Sequence, residues 1–385
     1  MGSEAMARGR QDAAVNVLGI VNMEDRIPAT HPIRMIRCLA DRLLAELSPL
    51  FDQMYSEGGR PSIPPERLLK ANLLMAIFSV RSDRLFCEQL EYNLRYRWFL
   101  GMDMIEPSFD HSTFTKNRGR LLEHAVAEEF FALVVQLAKE QQLLSDDHFT
   151  VDGTLIEAAA SHKSFRLKPL AGEGEVPVVA EAAPVGEAMD DDPGNPTRNF
   201  RNEKRSNATH VSTTDPESRL AKKSAGKEAK LAFGAHALME NRNGILVDLQ
   251  VAIVTGTAER DAVPVLLERA RAKGFHPTTL GADKGYDTNA CVAAIRERGV
   301  SPHVAQNISK RRGSAIGEET TQHEGYAISQ RKRKLVEEIF GWGKTIGGLR
   351  RTRFRGVRKT QDAAYVIGAA YNLIRISRLI SAQMA

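Results

Sequence analysis

Three acidic residues far apart in the sequence have the types and positions needed to bind metal ions together. Asp152 ends a predicted strand, Asp283 stands at the tip of a later strand, and Glu337 lies on a predicted helix near the C-terminal end. Strand tips in open sheets are where ligands bind. Carboxylate oxygens suit two Mg²⁺ ions about 3.5–4 Å apart, which stabilise the attacking and leaving oxygens of a phosphodiester. The three acids therefore predict metal-assisted phosphoryl transfer.

Each of these acids also has a purely structural interpretation. Asp152 precedes a glycine, and Asp-Gly is a common turn dipeptide. Asp283 could accept backbone hydrogen bonds where its strand ends. Glu337 could pair with Arg333 on an exposed helix, which is worth about 0.2–0.5 kcal/mol. Only the combination of the three favours a catalytic site.

The segment "RKRKLVEEIFGWGKT", residues 331–345, ends like a nucleotide-binding loop. That loop needs a glycine where Glu338 stands, and it needs an apolar strand leading into it. Four cations, Arg331 to Lys334, and a helical apolar spacing lead into "GWGKT" instead. On a helix, Arg333, Glu337 and Lys344 lie on one stripe. We therefore expect a helix that carries an acid between two bases, and no bound nucleotide.

Composition and charge placement limit the class of protein. The chain has 385 residues, 42% of them apolar, so two or more modules with a sizeable core are expected. Its apolar run from Phe130 to Ala138, broken only by Gln136, is too short to cross a bilayer, and the N-terminus lacks a signal-peptide pattern, so a cytoplasmic protein is expected. The three cysteines have neither a zinc spacing nor an even disulfide set.

The positive charge is concentrated near the C-terminal end. Residues 331–385 hold 13 Lys and Arg against 3 Asp and Glu, which leaves a net −5 elsewhere in a chain of net charge +5. Within this region, "LRRTRFRGVRK" places an aromatic residue and a glycine among arginines, a pattern that suits phosphate backbones. Arg351, Arg353 and Arg355 are therefore predicted DNA contacts.

Residues 31–146 are predicted to form a helical N-terminal domain after a tail at 1–30. Pro64 and Pro65 open a long amphipathic segment, and further helices are expected at about 82–98 and 119–143. Between them, a short helix would carry Lys116 and Arg118 outward. Such a bundle is compatible with groove recognition in DNA and equally with dimerisation.

Residues 147–385 change to a mixed α/β pattern. "HFTVDGTLIEA" predicts a strand, and a low-complexity stretch at about 168–206 predicts a flexible insertion. Two apolar runs around residues 241–244 predict a hairpin. Alternating helices and short strands follow. The order predicts a mixed sheet with crossovers, covered by helices.

Many blocks along the chain resemble the DDE transposases of the IS5 family of insertion sequences. The blocks are "SIPPERLLKANLLMAIFSVRSDR", "DHSTFTKNR", "FTVDGTLIEAAASHKSF", "HVSTTDPESRLAKK", "KLAFGAHALMENRNG", "VTGTAERDA", "GADKGYD" and "RKRKLVEEIFGWGKT". The resemblance implies a ribonuclease H-like catalytic core, interrupted after its first strand and preceded by an all-α N-terminal domain. It also implies that Asp152, Asp283 and Glu337 bind two Mg²⁺ ions, for which Mn²⁺ would substitute.

The family signature selects Glu337 over Glu338. It places Arg four residues before the Glu and Lys seven after, which Arg333 and Lys344 satisfy. These two cations are predicted to contact DNA phosphates near the cleaved bond. The chain departs from the signature at Gln330, where Tyr is usual, and at Gly343, where a larger apolar residue is expected.

The resemblance implies a bacterial enzyme that cuts DNA at the ends of its element and joins them to target DNA. Its partners would be the terminal inverted repeats and target DNA, and two ends to be joined favour a homodimer or a higher oligomer. It would act in the cytoplasm, at the nucleoid when bound. His162 and Lys163 are further predicted phosphate contacts. A DNA-binding protein without catalysis and a non-mobile ribonuclease H-like nuclease remain as alternatives.

Overall fold

The protein is described by a computed structural model. The described residues are 22–55, 62–168, 205–223, 226–308 and 313–384. Residues 1–21 of the predicted tail and 169–204 of the predicted insertion lie outside these ranges. In the ranges described, none of the helices is both long enough and apolar enough to cross a membrane.

Helices alone form the N-terminal region. They are α1 (Met23–Arg26), α2 (Ile33–Glu46), α3 (Ser48–Met54), α4 (Pro65–Ile77), α5 (Asp83–Tyr92), α6 (Leu94–Leu100), α7 (His111–Glu123) and α8 (Val126–Glu140). Pro65 begins α4, where its missing N–H costs nothing. The helix predicted at 82–98 is two helices, because the Asn93 side chain accepts a hydrogen bond from the backbone N–H of Tyr96 and starts α6.

Strands and helices alternate in the rest of the chain. The strands are β1 (His148–Glu157), β2 (Phe165–Leu167), β3 (His210–Ser212), β4 (Arg219–Ala221), β5 (Lys230–Glu240), β6 (Ile245–Ile253), β7 (Thr279–Ala282) and β8 (Ser301–Val304). The helices are α9 (Ala258–Ala272), α10 (Asn289–Glu297), α11 (Glu318–Thr321), α12 (Glu324–Lys332), α13 (Val336–Trp342) and α14 (Val357–Met384).

The main sheet has the strand order β6, β5, β1, β7, β8. β5 is antiparallel to its neighbours β6 and β1, whereas β7 pairs parallel with β1 and β8 pairs parallel with β7. The short β4 pairs with the start of β5, and β2 pairs with β3 beside the segment at 169–204. This mixed sheet with helical crossovers, preceded by a helical region, confirms the predicted ribonuclease H-like α/β fold.

Helix α14 joins the helical region to the sheet. It packs against α8, α4 and β6. Asn372 of α14 accepts a hydrogen bond from the Leu246 N–H and donates one to the Leu246 carbonyl, so the edge of β6 is covered rather than open to pairing. The sheet, α8 and α14 thereby share one hydrophobic core.

Candidate active site

Asp152 lies in the middle of the central strand β1. It is half-buried, and its Oδ1 accepts a hydrogen bond of 2.8 Å from the N–H of Gly153. Side chains alternate along a strand, so Thr150, Asp152 and Thr154 point to one face. On that face Lys344 donates a hydrogen bond to Thr154 Oγ1. The strand therefore presents the acid beside a cation from the C-terminal region.

Asp283 follows β7, the neighbour of β1. Its Oδ1 accepts a hydrogen bond of 2.7 Å from the N–H of Gly285, which fixes a single 3₁₀ turn at Lys284–Tyr286. Asp283 thus accepts a backbone hydrogen bond at the end of its strand, which is the structural role predicted as an alternative for it. It leaves the second carboxylate oxygen available, because a carboxylate accepts several hydrogen bonds or metal bonds.

Glu337 lies in the first turn of α13 and is exposed. The adjacent Glu338 behaves differently, since it accepts a hydrogen bond of 2.6 Å from Arg375 on α14. Arg333 also donates elsewhere, from Nε to the side chain of Gln330 at 3.0 Å. The helical pairing of Glu337 with Arg333 that we considered is therefore not formed in the described structure.

Burial raises the pKa of Asp152 to about 6, and the negative charges of Asp283, Glu259 and Glu337 add to the rise. Burial likewise raises the pKa of Glu259, again with a contribution from Asp283. Asp283 and Glu337, which come from separate segments, thus both lie within electrostatic reach of Asp152. A carboxylate whose pKa is raised by burial and by like charges is one that a cation would stabilise.

These acids do not form a closed metal shell. Within the described ranges, no group of three or more His, Cys, Asp or Glu side chains is close enough to hold a metal ion. The donor chemistry nevertheless fits a hard divalent cation, because Asp152, Asp283 and Glu337 all offer carboxylate oxygens and none is in an ion pair among the described residues. Movements of the side chains would have to bring these oxygens onto a cation.

Lys344 lies in a five-residue π-helical turn, Gly343–Gly347, that continues α13. The segment resembling a nucleotide loop is thus helical and follows a helix, not a strand. Burial lowers the pKa of Lys344, and the nearby positive charges of Lys223 and Arg350 lower it further. A phosphate would relieve this repulsion.

Two predicted DNA contacts are already engaged by an acid. Arg118 donates to both carboxylate oxygens of Asp83 at 2.7 and 2.8 Å. Arg353 donates to Asp83 Oδ1 at 2.5 Å and to the Arg81 carbonyl at 3.2 Å. The two guanidinium groups, one from α7 and one from the C-terminal region, therefore hold the helical region against the C-terminal region.

The other predicted DNA contacts lie away from the three acids or at the surface. Lys116, Lys163, Arg351 and Arg355 are exposed. His162 is half-buried in a 3₁₀ turn, and its burial lowers its pKa. The backbone at Arg351 bridges to Glu157 at the end of β1.

Glu259 is the acid that sequence reasoning missed. It lies in the first turn of α9 directly after β6. Its block, "VTGTAERDA", contributed to the family resemblance, but a glutamate at a helix start is favoured by the helix dipole alone. Only the fold brings it beside Asp152.

Two family models match the chain. A transposase domain of the family DUF772 matches residues 21–120, and the transposase DDE domain matches residues 207–373. The second range contains Asp283 and Glu337, whereas Asp152 precedes it. No curated protein sequence matches the chain.

Three solved structures of DNA complexes are similar to the chain at low identity. A piggyBac transposase synaptic complex with hairpin DNA has 11% identity and a TM-score of 0.42, with 93% of this chain and 77% of that chain covered. A pre-cleavage Mos1 transpososome has 11% identity and a TM-score of 0.21, with coverages of 84% and 82%. A Mos1 paired-end complex with the left transposon end has 10% identity and a TM-score of 0.20, with the same coverages. At such values these likenesses assign no residue of the chain.

Proposed function

We propose that this chain, a transposase of the DDE type that acts on DNA, uses Asp152, Asp283 and Glu337 to cut DNA at the ends of its element and to join them to target DNA. The observation that carries the proposal is that Asp152 and Asp283 come from the adjacent parallel strands β1 and β7, and that the charges of Asp283 and of Glu337 on α13 both act on Asp152. Acids held together in this way without a cationic partner suit bound metal ions.

The three carboxylates would hold the divalent cations. When bound, Mg²⁺ or Mn²⁺ ions activate a nucleophilic oxygen and stabilise the leaving oxygen of a phosphodiester. The chain itself supplies the frame, since the backbone bonds of Asp152 and Asp283 fix the directions of their side chains. Because the exchanged phosphodiester bonds are similar in energy, joining needs no nucleotide.

Lys344 and Arg333 would orient the DNA backbone. Lys344 reaches the face of β1 that carries Asp152, and the Arg333 guanidinium has its Nη groups left for phosphate oxygens after Nε donates to Gln330. Arg351, Arg355, Lys116, Lys163 and His162 would add contacts that position the duplex without reading its sequence. Arg118 and Arg353 would take part only if DNA displaced them from Asp83.

We further assign the chain to the IS5 group of bacterial insertion sequences, acting on terminal inverted repeats as a homodimer or higher oligomer in the cytoplasm. The ordered blocks from residue 62 to residue 345 support this assignment. Two ends must be held together before joining, which favours at least two subunits.

The test uses the full chain, labelled DNA carrying the ends of its own element, target plasmid and Mg²⁺ or Mn²⁺. Asp152→Asn, Asp283→Asn and Glu337→Gln should each lower cutting and joining at least about a hundredfold while DNA binding persists. Glu338→Gln, which changes the adjacent acid bonded to Arg375, is the matched control and should retain activity.

Three outcomes separate the functions. Joined products support a transposase that cuts and joins. Cut products alone indicate a nuclease, and bound DNA without cutting indicates a DNA-binding protein. Full strand transfer by Asp283→Asn would refute the assigned site.

A further inference from the structure

Glu259 reaches the central strand from a crossover helix. It lies in the first turn of α9, and its Oε1 is 3.1 Å from the point where a Cβ atom of Gly153 would stand. Gly153 directly follows Asp152 on β1. The absence of a side chain at Gly153 therefore lets the Glu259 carboxylate approach the backbone beside the predicted catalytic acid.

A buried histidine faces the same point. Nδ1 of His236 is 3.0 Å from the position of the missing Gly153 Cβ, and His236 pairs with Gly153 in the β1–β5 register. The residue is 1% exposed, and neither ring nitrogen has a hydrogen-bond partner in the described structure. An unpartnered buried polar group costs about 1–3 kcal/mol, so this ring is placed for a partner that the described residues do not supply.

Tyr286 is a second buried side chain whose polar atom, the hydroxyl oxygen, has no hydrogen-bond partner in the described structure. Burial raises the pKa of this hydroxyl, and the charges of Glu259, Asp152 and Asp283 add to the rise. Two fully buried side chains with unused hydrogen-bonding capacity thus border the acids. Ordered water or a hydrated ion would satisfy them.

In the part of the chain that the structure describes, the acids have no ion-pair partner, although Lys344 lies on the Asp152 face of β1. Among the described residues, none of Asp152, Asp283, Glu337 and Glu259 is within ion-pair distance of a Lys or Arg. Arg260, next to Glu259, turns to the backbone carbonyls of Gly285 and Gly256 instead. Four ionised carboxylates match the charge of two divalent cations, whereas three leave one positive charge unbalanced.

We propose that Glu259 is a fourth carboxylate of the divalent-cation site and that His236 supports it from within the sheet. The inference rests on the proposed function, because it assumes that Asp152, Asp283 and Glu337 hold the cations. The His236 ring is neutral, since burial lowers its pKa to about 4, and it therefore offers a hydrogen bond without adding charge. Glu259 would bind a cation directly or through a water that the ring also contacts.

The experiment measures Mn²⁺ binding to the full chain without DNA, by calorimetry and by electron paramagnetic resonance, together with thermal unfolding. Glu259→Gln should weaken the binding of one ion about tenfold to a hundredfold, the range expected when a group supporting a metal site is lost. Without metal, Glu259→Gln should unfold at the same or a higher temperature, because one of four like charges is gone. Its stabilisation by Mn²⁺ should be smaller than that of the unmodified protein.

Glu268→Gln is the matched control, because it removes an acid of the same helix α9 that pairs with Arg298. It should leave Mn²⁺ binding unchanged. Asp283→Asn is the positive control for the site itself. A Glu259→Gln protein that binds Mn²⁺ normally, while Asp283→Asn does not, would overturn the inference and leave the proposed function intact.

Two further results also decide the question. Normal Mn²⁺ binding by both Glu259→Gln and Asp283→Asn would refute the proposed site together with the inference. A Glu259→Gln protein that unfolds at a lower temperature without metal would show that the carboxylate serves the fold, which contradicts its role as an uncompensated acid.

Discussion

Replacing Asp83 by Asn should destabilise the contact between the helical region and the C-terminal region. The Asp83 carboxylate serves two guanidinium groups, Arg118 on α7 and Arg353 before α14. The three side chains are 16%, 19% and 32% exposed, so they are largely removed from water. In the variant, two cations would stand close together with no acid between them.

The structure sets the size of the effect. Removing one partner of a fully buried ion pair costs about 3–5 kcal/mol, and an exposed pair contributes about 0–1 kcal/mol. The partial burial of Asp83 places its loss between these limits, at about 2–4 kcal/mol, with the repulsion between Arg118 and Arg353 included. The midpoint of thermal unfolding should fall by several degrees.

Lowering the pH should remove the stabilisation that the ionised Asp83 provides. Burial opposes ionisation of Asp83, but the bond from Arg118 and the charge of Arg353 outweigh it and lower its pKa. A lowered pKa in the folded state means that the stabilisation is complete above the unfolded value of about 3.9 and is lost as the pH falls through the folded value. In Asp83→Asn, the loss of stability below about pH 4 should be correspondingly smaller.

The assay is urea unfolding followed by circular dichroism, at pH 7 and at a series of lower pH values. Glu319→Gln is the control, because Glu319 is 78% exposed in its pair with Arg296 and should contribute less than about 1 kcal/mol. If Asp83→Asn were no less stable than Glu319→Gln, the reasoning that this network joins the two regions would be refuted.

Two other predictions concern glycines and a histidine. Gly341→Ala should raise the free energy of unfolding by up to about 1 kcal/mol because, outside the backbone of its own helix, nothing in the described structure lies within 4 Å of the added Cβ. Gly347→Ala should lower it by about 1–3 kcal/mol, since a Cβ there would lie 2.7 Å from Ile367 and 3.0 Å from Trp342. Urea unfolding should show changes in stability of opposite sign for the two variants, and changes of the same sign would contradict the packing. Burial lowers the pKa of His148 to about 4, and the charge of His303 contributes. Between about pH 6.5 and pH 4 only the unfolded chain takes up this proton. The free energy of unfolding should therefore fall by about 1.4 kcal/mol per pH unit as the pH drops through this range. Unfolding of His148→Asn across this range should show a shallower fall, and an unchanged slope would assign the effect to other groups.

The fold could be predicted largely from local patterns. The hairpin β5–β6, the crossover helix α9 and the short strand β7 each have the periodicity and turn residues of their class, so their order was predictable. The boundaries of the helices and strands were less predictable than their order. The break at Asn93 depends on one side-chain cap inside an otherwise continuous amphipathic pattern, which periodicity does not distinguish from a single helix.

The engagement of Arg118 and Arg353 could not be predicted from the sequence. Both lie in basic segments whose composition suits DNA, and composition does not reveal that Asp83, more than 30 residues from either, would bond to both. Glu259 was missed for the related reason that its distance to Asp152 depends on a missing side chain at Gly153. Local signals predict elements, whereas these contacts arise only when elements pack.

Gly343, the glycine that precedes Lys344 in "GWGKT", can be explained by packing and not by phosphate binding. A Cβ on Gly343 would lie 2.7 Å from Leu349, and one on Gly347 would meet Trp342 and Ile367 of α14. Side chains at these positions would push the π-helical turn away from its neighbours. Lys344 lies within that turn and reaches Thr154 on β1 only because the turn packs closely. Gly343, which gives the motif its likeness to a nucleotide loop, and Gly347 thus help to place the lysine on the face of β1 that carries Asp152.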